Sequence, residues 1–375
     1  MKRIFLASAV SAAVLFFTPA AADAIPAFSL QTGLQCDACH TAPREVNDFG
    51  KTYAKNGYRL GNLGAGGAPV IALRGQFANT SAVDPTGLPK TIVDEVEIFL
   101  ADRITPQLSA SAEFYILDGG EPGSTREAWL QYTSHGNVGG APLRLTGGSI
   151  TLPLPVDPET SRQTNEHYAI YDQTVGANPF AFIDPRNALS LGVGNQVRGM
   201  SGTVIAMQSH DPLSQLPDVG TDRMYQLQDA MHGVTVSAYH VDGQRALGPI
   251  EDQFTRTGFG LNAYRGRLAF ESVLQTGYDT SPNGDGLGIS SSGGFAQLRY
   301  SLSGGNFALL RYDGVNQSVD GAFARSLTIG AIHPIGKILR LELEDVIAHG
   351  GPTTHTFNSS LGFGFSNAKL GSSAY

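Results

Sequence analysis

The chain has 375 residues, a formal net charge of −8 and only two cysteines. This acidic balance argues against nucleic acid as a partner, because proteins that bind phosphate backbones present basic surfaces. The length allows two ordinary domains. The residue pattern instead indicates a signal peptide (1–24), a small segment (25–66) and one large closed sheet (67–375).

The N-terminus has the pattern of a secretory signal peptide. Lys2 and Arg3 precede an apolar run over residues 4–17, and Ala22-Asp23-Ala24 supplies a small-residue cleavage site. The run is shorter than the roughly 20 apolar residues that a membrane-spanning helix needs. We therefore expect residues 1–24 to be removed during export.

Cys36, Cys39 and His40 form a C-x-x-C-H motif, the signal for covalent attachment of a c-type haem. Two thiols at this spacing reach the two vinyl groups of the porphyrin, and the adjacent histidine presents a ring nitrogen to the iron. One C-x-x-C pair does not supply the four ligands of a structural zinc site. The motif therefore predicts one covalent haem c, with Cys36 and Cys39 as attachment points and His40 as the proximal iron ligand.

A short amphipathic helix is predicted after the motif, with Thr41 as its N-cap and Pro43 in its first turn. Asn56-Gly57 suits its C-terminus. Its apolar face, which we expect to cover one side of the haem, comprises Val46, Phe49, Gly50 and Tyr53. Because a segment of about 40 residues rarely folds alone, we expect it to dock into the rest of the chain as a plug.

The haem segment supplies no sixth iron ligand, since it contains no methionine and no second histidine. Either the iron is five-coordinate or another part of the chain completes the site. The candidate distal ligands are His167, in a long predicted loop, and Met200, His232 and His135, near predicted short turns.

Residues 67–375 alternate apolar and polar side chains, as residues 339–344 do with leucine against arginine or glutamate. This period of two predicts half-buried β-strands. We predict sixteen strands: 68–80, 90–103, 106–118, 125–134, 142–152, 188–195, 198–208, 223–230, 232–241, 254–264, 267–277, 292–302, 305–313, 323–333, 337–347 and 354–366.

The connections alternate between short turns, such as Arg265-Gly266, and longer loops, above all residues 153–186. Many strands have one apolar and one charged face. A soluble sandwich keeps its core face uncharged, whereas a membrane barrel turns its apolar face to lipid and its polar face to a wet lumen. The sequence therefore predicts an all-β, transmembrane antiparallel β-barrel of about sixteen strands in a Gram-negative outer membrane, with both chain ends in the periplasm.

Residues 26–41 (PAFSLQTGLQCDACHT), followed by Asn47-Asp48-Phe49-Gly50 and Asn56-Gly57-Tyr58, resemble the start of the fused monohaem cytochrome–porins. This group includes the outer-membrane iron oxidases of iron-oxidising bacteria. The resemblance implies electron transfer from an extracellular donor, typically Fe(II), to a periplasmic c-type cytochrome. It also implies haem attachment at Cys36 and Cys39 with ligation by His40, but it supplies no matched residue for an iron-binding site.

Three functions remain open at this point. The first is that of an Fe(II):cytochrome c oxidoreductase, which needs no acid–base or nucleophilic residue, so none is predicted. The second is a diffusion channel in which the haem segment is a structural plug. The third is a haem enzyme that uses an open sixth coordination position on small molecules such as peroxide.

Overall fold

The computed structural model describes residues 39–42, 45–55, 58, 70–83, 89–138, 141–158, 162–194, 199–210, 217–247, 250–302, 305–317, 323–335, 339–349 and 353–366. The predicted signal peptide and Cys36 lie outside these ranges. Within them, no helix combines the length and the apolarity that crossing a membrane requires.

Two small strands and a helix precede the large sheet: β1 (His40–Ala42), β2 (Glu45–Val46) and α1 (Asp48–Lys55). The large sheet contains β3 (Val70–Val83), β4 (Pro89–Arg103), β5 (Leu108–Asp118), β6 (Glu121–Pro122), β7 (Thr125–Val138), β8 (Ala141–Ile150), β9 (Arg186–Gly194), β10 (Gly199–His210), β11 (Pro217–Met231), β12 (Val234–Ala246), β13 (Glu251–Arg265), β14 (Leu268–Asp279), β15 (Ile289–Ser301), β16 (Phe307–Gln317), β17 (Phe323–Ile335), β18 (Leu339–His349) and β19 (Thr354–Ser366). A second short helix, α2 (Ala169–Asp172), lies between β8 and β9.

The large sheet is a closed antiparallel barrel. Each long strand pairs with its neighbours in sequence, and β19 pairs with β3 to close the ring. The two-residue strand β6 only extends the edge of β5, which also pairs with β7. The described part of the chain therefore contains sixteen long strands, and both ends of the barrel chain lie on the side of the short turns.

All sixteen predicted strands are present, but several run further on the long-loop side. The strand predicted at 223–230 is Pro217–Met231, and that predicted at 232–241 reaches Ala246. The sequence pattern alternates only where one face of a strand contacts lipid. Backbone pairing between strands continues beyond that part, so the loops are shorter than the sequence predicted.

The outer surface of the barrel is apolar and its inner surface is polar, as predicted. Leu227, Phe259 and Leu274 are more than 60% exposed on the outside. Arg256 and Glu271 face inward and are buried. This arrangement suits lipid outside and a polar lumen inside.

The N-terminal helix begins at Asp48, so the prediction of Thr41 as its N-cap and Pro43 in its first turn is wrong. Strand β1 pairs with β2 in a small hairpin instead. The backbone N–H of Asn47 then donates to the Cys39 carbonyl (2.8 Å), and Asn47 Oδ1 accepts from the Gly50 N–H (2.9 Å). Asn47 is therefore the cap, the usual role of this residue type at a helix start.

The predicted helix end at Asn56-Gly57 agrees with the last helical residue, Lys55. Only part of the predicted apolar face is buried. Gly50 and Tyr53 are buried, whereas Phe49 is 42% exposed. The side chain of Val46 is not among those described.

Candidate functional site in the barrel lumen

The long connection between β8 and β9, described over residues 151–158 and 162–185, folds into the lumen. Asn262 Nδ2, on the wall of β13, donates to the Pro155 carbonyl (2.7 Å). Apolar side chains from the loop and the wall form one buried cluster: Leu152, Leu154, Val156, Tyr168, Ile170, Tyr171, Phe180 and Phe182 from the loop, with Met207, Met224, Tyr239, Val241, Phe254, Val273 and Phe295 from the wall. Burial of this much apolar area fixes the loop against β10–β15.

Arg311 on β16 binds the far part of the loop. Its guanidinium is paired with Asp313 (2.6 Å) and donates to Thr164 Oγ1 (2.5 Å) and to the His167 carbonyl (3.0 Å). The guanidinium also lies over the Tyr168 ring, 5.0 Å from its centroid. One buried cation thus satisfies loop oxygens that would otherwise be buried without hydrogen bonds.

The side chain of Glu344 on β18 binds the backbone of the same stretch of the loop. Its two carboxylate oxygens accept from the N–H groups of Asn165 (3.0 Å) and Glu166 (3.3 Å). A third hydrogen bond comes from Asn358 Nδ2 on β19 (2.7 Å). Charged acceptors make stronger hydrogen bonds than neutral ones, so this contact helps to fix the loop.

The loop also reaches the first two barrel strands. Gln76 Nε2 on β3 donates to Asn165 Oδ1 (3.0 Å), and Arg162 Nη2 lies 3.7 Å from the Glu95 carboxylate on β4. The loop therefore extends from the β10–β15 wall to strands on the opposite side of the barrel, and it narrows the lumen.

A second set of contacts lies nearer the short-turn end. The ring of Tyr58 stacks on Trp129 of β7, with centroids 6.3 Å apart and planes 12° apart, and meets Phe99 of β4 edge-on at 5.8 Å. Burial raises the pKa of Tyr58, and the nearby carboxylates Glu127 and Glu113 raise it further. The Tyr58 phenol is thus held neutral against the inner wall.

Helix α1 contacts the other side of the barrel. Lys51 Nζ donates to Tyr264 Oη on β13 (3.2 Å) and lies 4.8 Å from the centroid of that ring. Tyr264 Oη in turn donates to Glu271 Oε1 (2.8 Å). Because β13 is the eighth long strand round from β4 in a ring of sixteen, residues 51–58 touch opposite walls and cross the lumen.

Cys39 is half-buried beside this crossing segment. Burial raises the pKa of Tyr53, and the charge of a Cys39 thiolate would raise it further. Tyr53 meets Tyr58 edge-on at 5.7 Å. A half-buried thiol beside a buried tyrosine, with the apolar ring of Phe49 exposed on the next helix, is compatible with a haem attached at this motif. Only the backbone of His40 is described.

The predicted distal ligands lie in four different places. Met200 is 74% exposed on the outer face of β10, and His232 is exposed in the turn between β11 and β12 with a φ of 51°. His167 lies in the luminal loop, with Nδ1 3.2 Å from Asp172 Oδ2. His135 lies in β7, where only its backbone is described. In the described ranges, no hydrogen bond, ion pair or ring contact joins His167, Met200 or His232 to α1.

The described ranges contain no group of three or more histidine, cysteine, aspartate or glutamate side chains arranged to hold a metal ion. The residues that sequence reasoning missed are those that position the loop and the helix. Arg311 and Glu344 lie in the predicted strands 305–313 and 337–347 with no role assigned to them, and Tyr58 was recognised only as part of a motif. The loop groups that Arg311 and Glu344 bind are more than 140 residues away in sequence, so no local signal identified these contacts.

Comparisons with solved structures agree on one architecture. The anion-selective porin from Comamonas acidovorans is similar over 80% of this chain and 98% of its own, with a TM-score of 0.59 and 12% identity. The fold is that of the outer-membrane porins.

Two further structures give the same result. Salmonella typhi OmpF, solved with daunomycin, is similar over 80% of this chain and 97% of its own (TM-score 0.58, 12% identity). The outer-membrane channel DcaP of Acinetobacter baumannii is similar over 82% and 99% (TM-score 0.54, 10% identity). No protein-family model and no curated protein matches the sequence. The prediction of an outer-membrane β-barrel is confirmed, and at these identities the likeness concerns the fold.

Proposed function

We propose that this protein is an outer-membrane channel of the porin type, in which small polar solutes cross through the lumen. The observation that carries the proposal is the closed barrel of sixteen long strands, apolar outside and lined by charged and polar side chains inside. The luminal loop and residues 51–58 restrict the passage. The solutes are therefore small.

The test is conductance across a planar lipid bilayer. The full-length protein is compared with a variant that keeps the signal peptide but lacks residues 25–66. We expect small conductance steps from the full-length protein and larger steps from the variant, because the segment that crosses the lumen is gone. Folded protein that conducts in neither form would contradict the proposal.

A second candidate function is electron transfer through a covalent haem c. The observation that favours it is the position of the segment that follows the C-x-x-C-H motif: Lys51 of α1 contacts one wall of the lumen, and Tyr58, beyond the helix, contacts the opposite wall. Cys36 and Cys39 would hold the haem and His40 would ligate its iron, and the haem would supply a one-electron carrier. An extracellular donor, typically Fe(II), would then be linked to a periplasmic c-type cytochrome.

This candidate is tested anaerobically on isolated outer membranes with the haem oxidised. We expect added Fe(II) to reduce the haem rapidly, as followed by the shift of its absorption bands. A Cys36→Ala/Cys39→Ala variant should show no haem bands. If Fe(II) leaves the haem oxidised while dithionite reduces it, iron oxidation is not the function of this haem. If the wild-type protein carries no covalent haem at all, the cofactor proposal fails.

A further inference from the structure

Most buried arginines of the barrel are paired with a carboxylate, but Arg144 is not. Six of the eight buried arginines in the described ranges lie within 4 Å of a carboxylate, as Arg245 does with Asp222 at 2.7 Å. Arg144 on β8 is buried to the same degree, with 6% of its surface exposed, and forms no such pair. Its Nη1 donates to the Gly194 carbonyl (2.7 Å), and its Nη2 is buried without a hydrogen-bond partner.

The wall around Arg144 is polar but carries no negative charge. Thr133, Arg144, Gly192 and Thr203 lie side by side on the four adjacent strands β7 to β10. Gln226 on β11 continues the row. Strands β8, β9 and β10 contain no aspartate or glutamate at all. Hydroxyl and amide groups therefore surround a permanent cation.

We infer that Arg144 is the centre of an anion-binding site on the luminal wall, and that its ligand is a small oxyanion such as inorganic phosphate or a carboxylate. A buried charge without a partner of opposite charge is costly and requires compensation. Arginine remains protonated at any physiological pH, and its planar fork matches two oxygens of one anion. The threonine hydroxyls beside it add neutral donors.

Gly192 lies directly against the guanidinium of Arg144. A Cβ at this position would lie 3.2 Å from Arg144 Nη2 and 3.4 Å from Nε, which is closer than side chains normally approach. Alanine here would displace the fork without changing the charge. Gly192→Ala therefore changes the geometry of the site while the residue Arg144 and its charge are kept.

The test is isothermal titration of inorganic phosphate into the purified, folded full-length protein in detergent at low ionic strength. We expect Arg144→Gln to weaken phosphate binding at least tenfold and Arg144→Lys to weaken it less, since lysine keeps the charge but not the fork. We expect Gly192→Ala to weaken binding as well. The control is Arg223→Gln, which removes an exposed arginine (60% side-chain exposure) that lies 4.0 Å from Asp242 and should leave binding unchanged.

Unaltered phosphate affinity in folded Arg144→Gln would overturn the inference, as would the absence of phosphate binding by the wild-type protein. An equal loss in Arg223→Gln would show that general surface charge is responsible, and would also overturn it. Isothermal titration measures phosphate binding independently of whether the protein conducts ions across a bilayer. A protein that binds phosphate at Arg144 but does not conduct would therefore contradict the channel proposal alone.

Discussion

At the scale of single residues, the loop inside the lumen depends on a few buried charges. Arg311 is paired with Asp313 and donates to three loop oxygens, so its removal leaves a buried carboxylate and unpaired loop groups. Breaking a buried pair by removing one partner costs on the order of 3 kcal/mol. The loop residues 162–168 then lose their attachment to β16.

We predict that Arg311→Ala makes the loop sensitive to trypsin at Arg162, which is only 3% exposed in the native fold. The cleavage rate in folded protein should rise at least tenfold, as followed by gel electrophoresis. Arg223→Ala, which removes an exposed arginine on β11, is the control and should leave the rate unchanged. Equal cleavage in both variants would show that Arg311 does not hold the loop.

At the scale of elements, the segment that contains α1 crosses the lumen because Lys51 in the helix and Tyr58 beyond it contact opposite walls. Aromatic contacts such as that of Tyr58 with Trp129 contribute about 0.5–1.5 kcal/mol beyond burial of their area. Trp129 is the only tryptophan in the chain, so tryptophan fluorescence reports on the surroundings of this one side chain.

We predict that Tyr58→Ala shifts the Trp129 emission to longer wavelength and increases its quenching by acrylamide, because the ring that covers the indole is removed. Tyr58→Phe keeps the ring and should retain the native spectrum. If Tyr58→Ala leaves both emission and quenching unchanged in folded protein, Tyr58 does not anchor the segment to the wall.

At the scale of the whole molecule, the barrel is stable because lipid covers an outer belt of large apolar side chains. Leu310 on β16 lies in that belt, directly between Leu298 and Ile329 on the neighbouring strands, and is 45% exposed. A cation at such a position costs roughly 2–4 kcal/mol near the midplane of the bilayer.

We predict that Leu310→Arg lowers the free energy of unfolding from lipid vesicles by about 2–4 kcal/mol in urea titrations, on the same basis. Leu310→Ala shortens the side chain without adding charge and should cost clearly less. Equal losses in the two variants would place Leu310 away from the hydrocarbon core of the membrane.

The sequence alone determined the architecture, because alternation of apolar and polar residues is a local property that repeats in every strand. It predicted all sixteen long strands, the apolar exterior and the long connection at residues 153–186. The C-x-x-C-H motif stays a prediction of haem attachment, since Cys36 and the His40 side chain lie outside what the structure describes.

Only the tertiary structure decided what lies inside the barrel. It placed residues 151–158 and 162–185 in the lumen, linked Arg311 and Glu344 to that loop, and put Lys51 and Tyr58 against opposite walls. It also moved the helix start from Thr41 to Asp48, because residues 40–42 pair as a strand. These contacts join residues far apart in sequence, and they exist only once the sheet closes and brings its inner faces together.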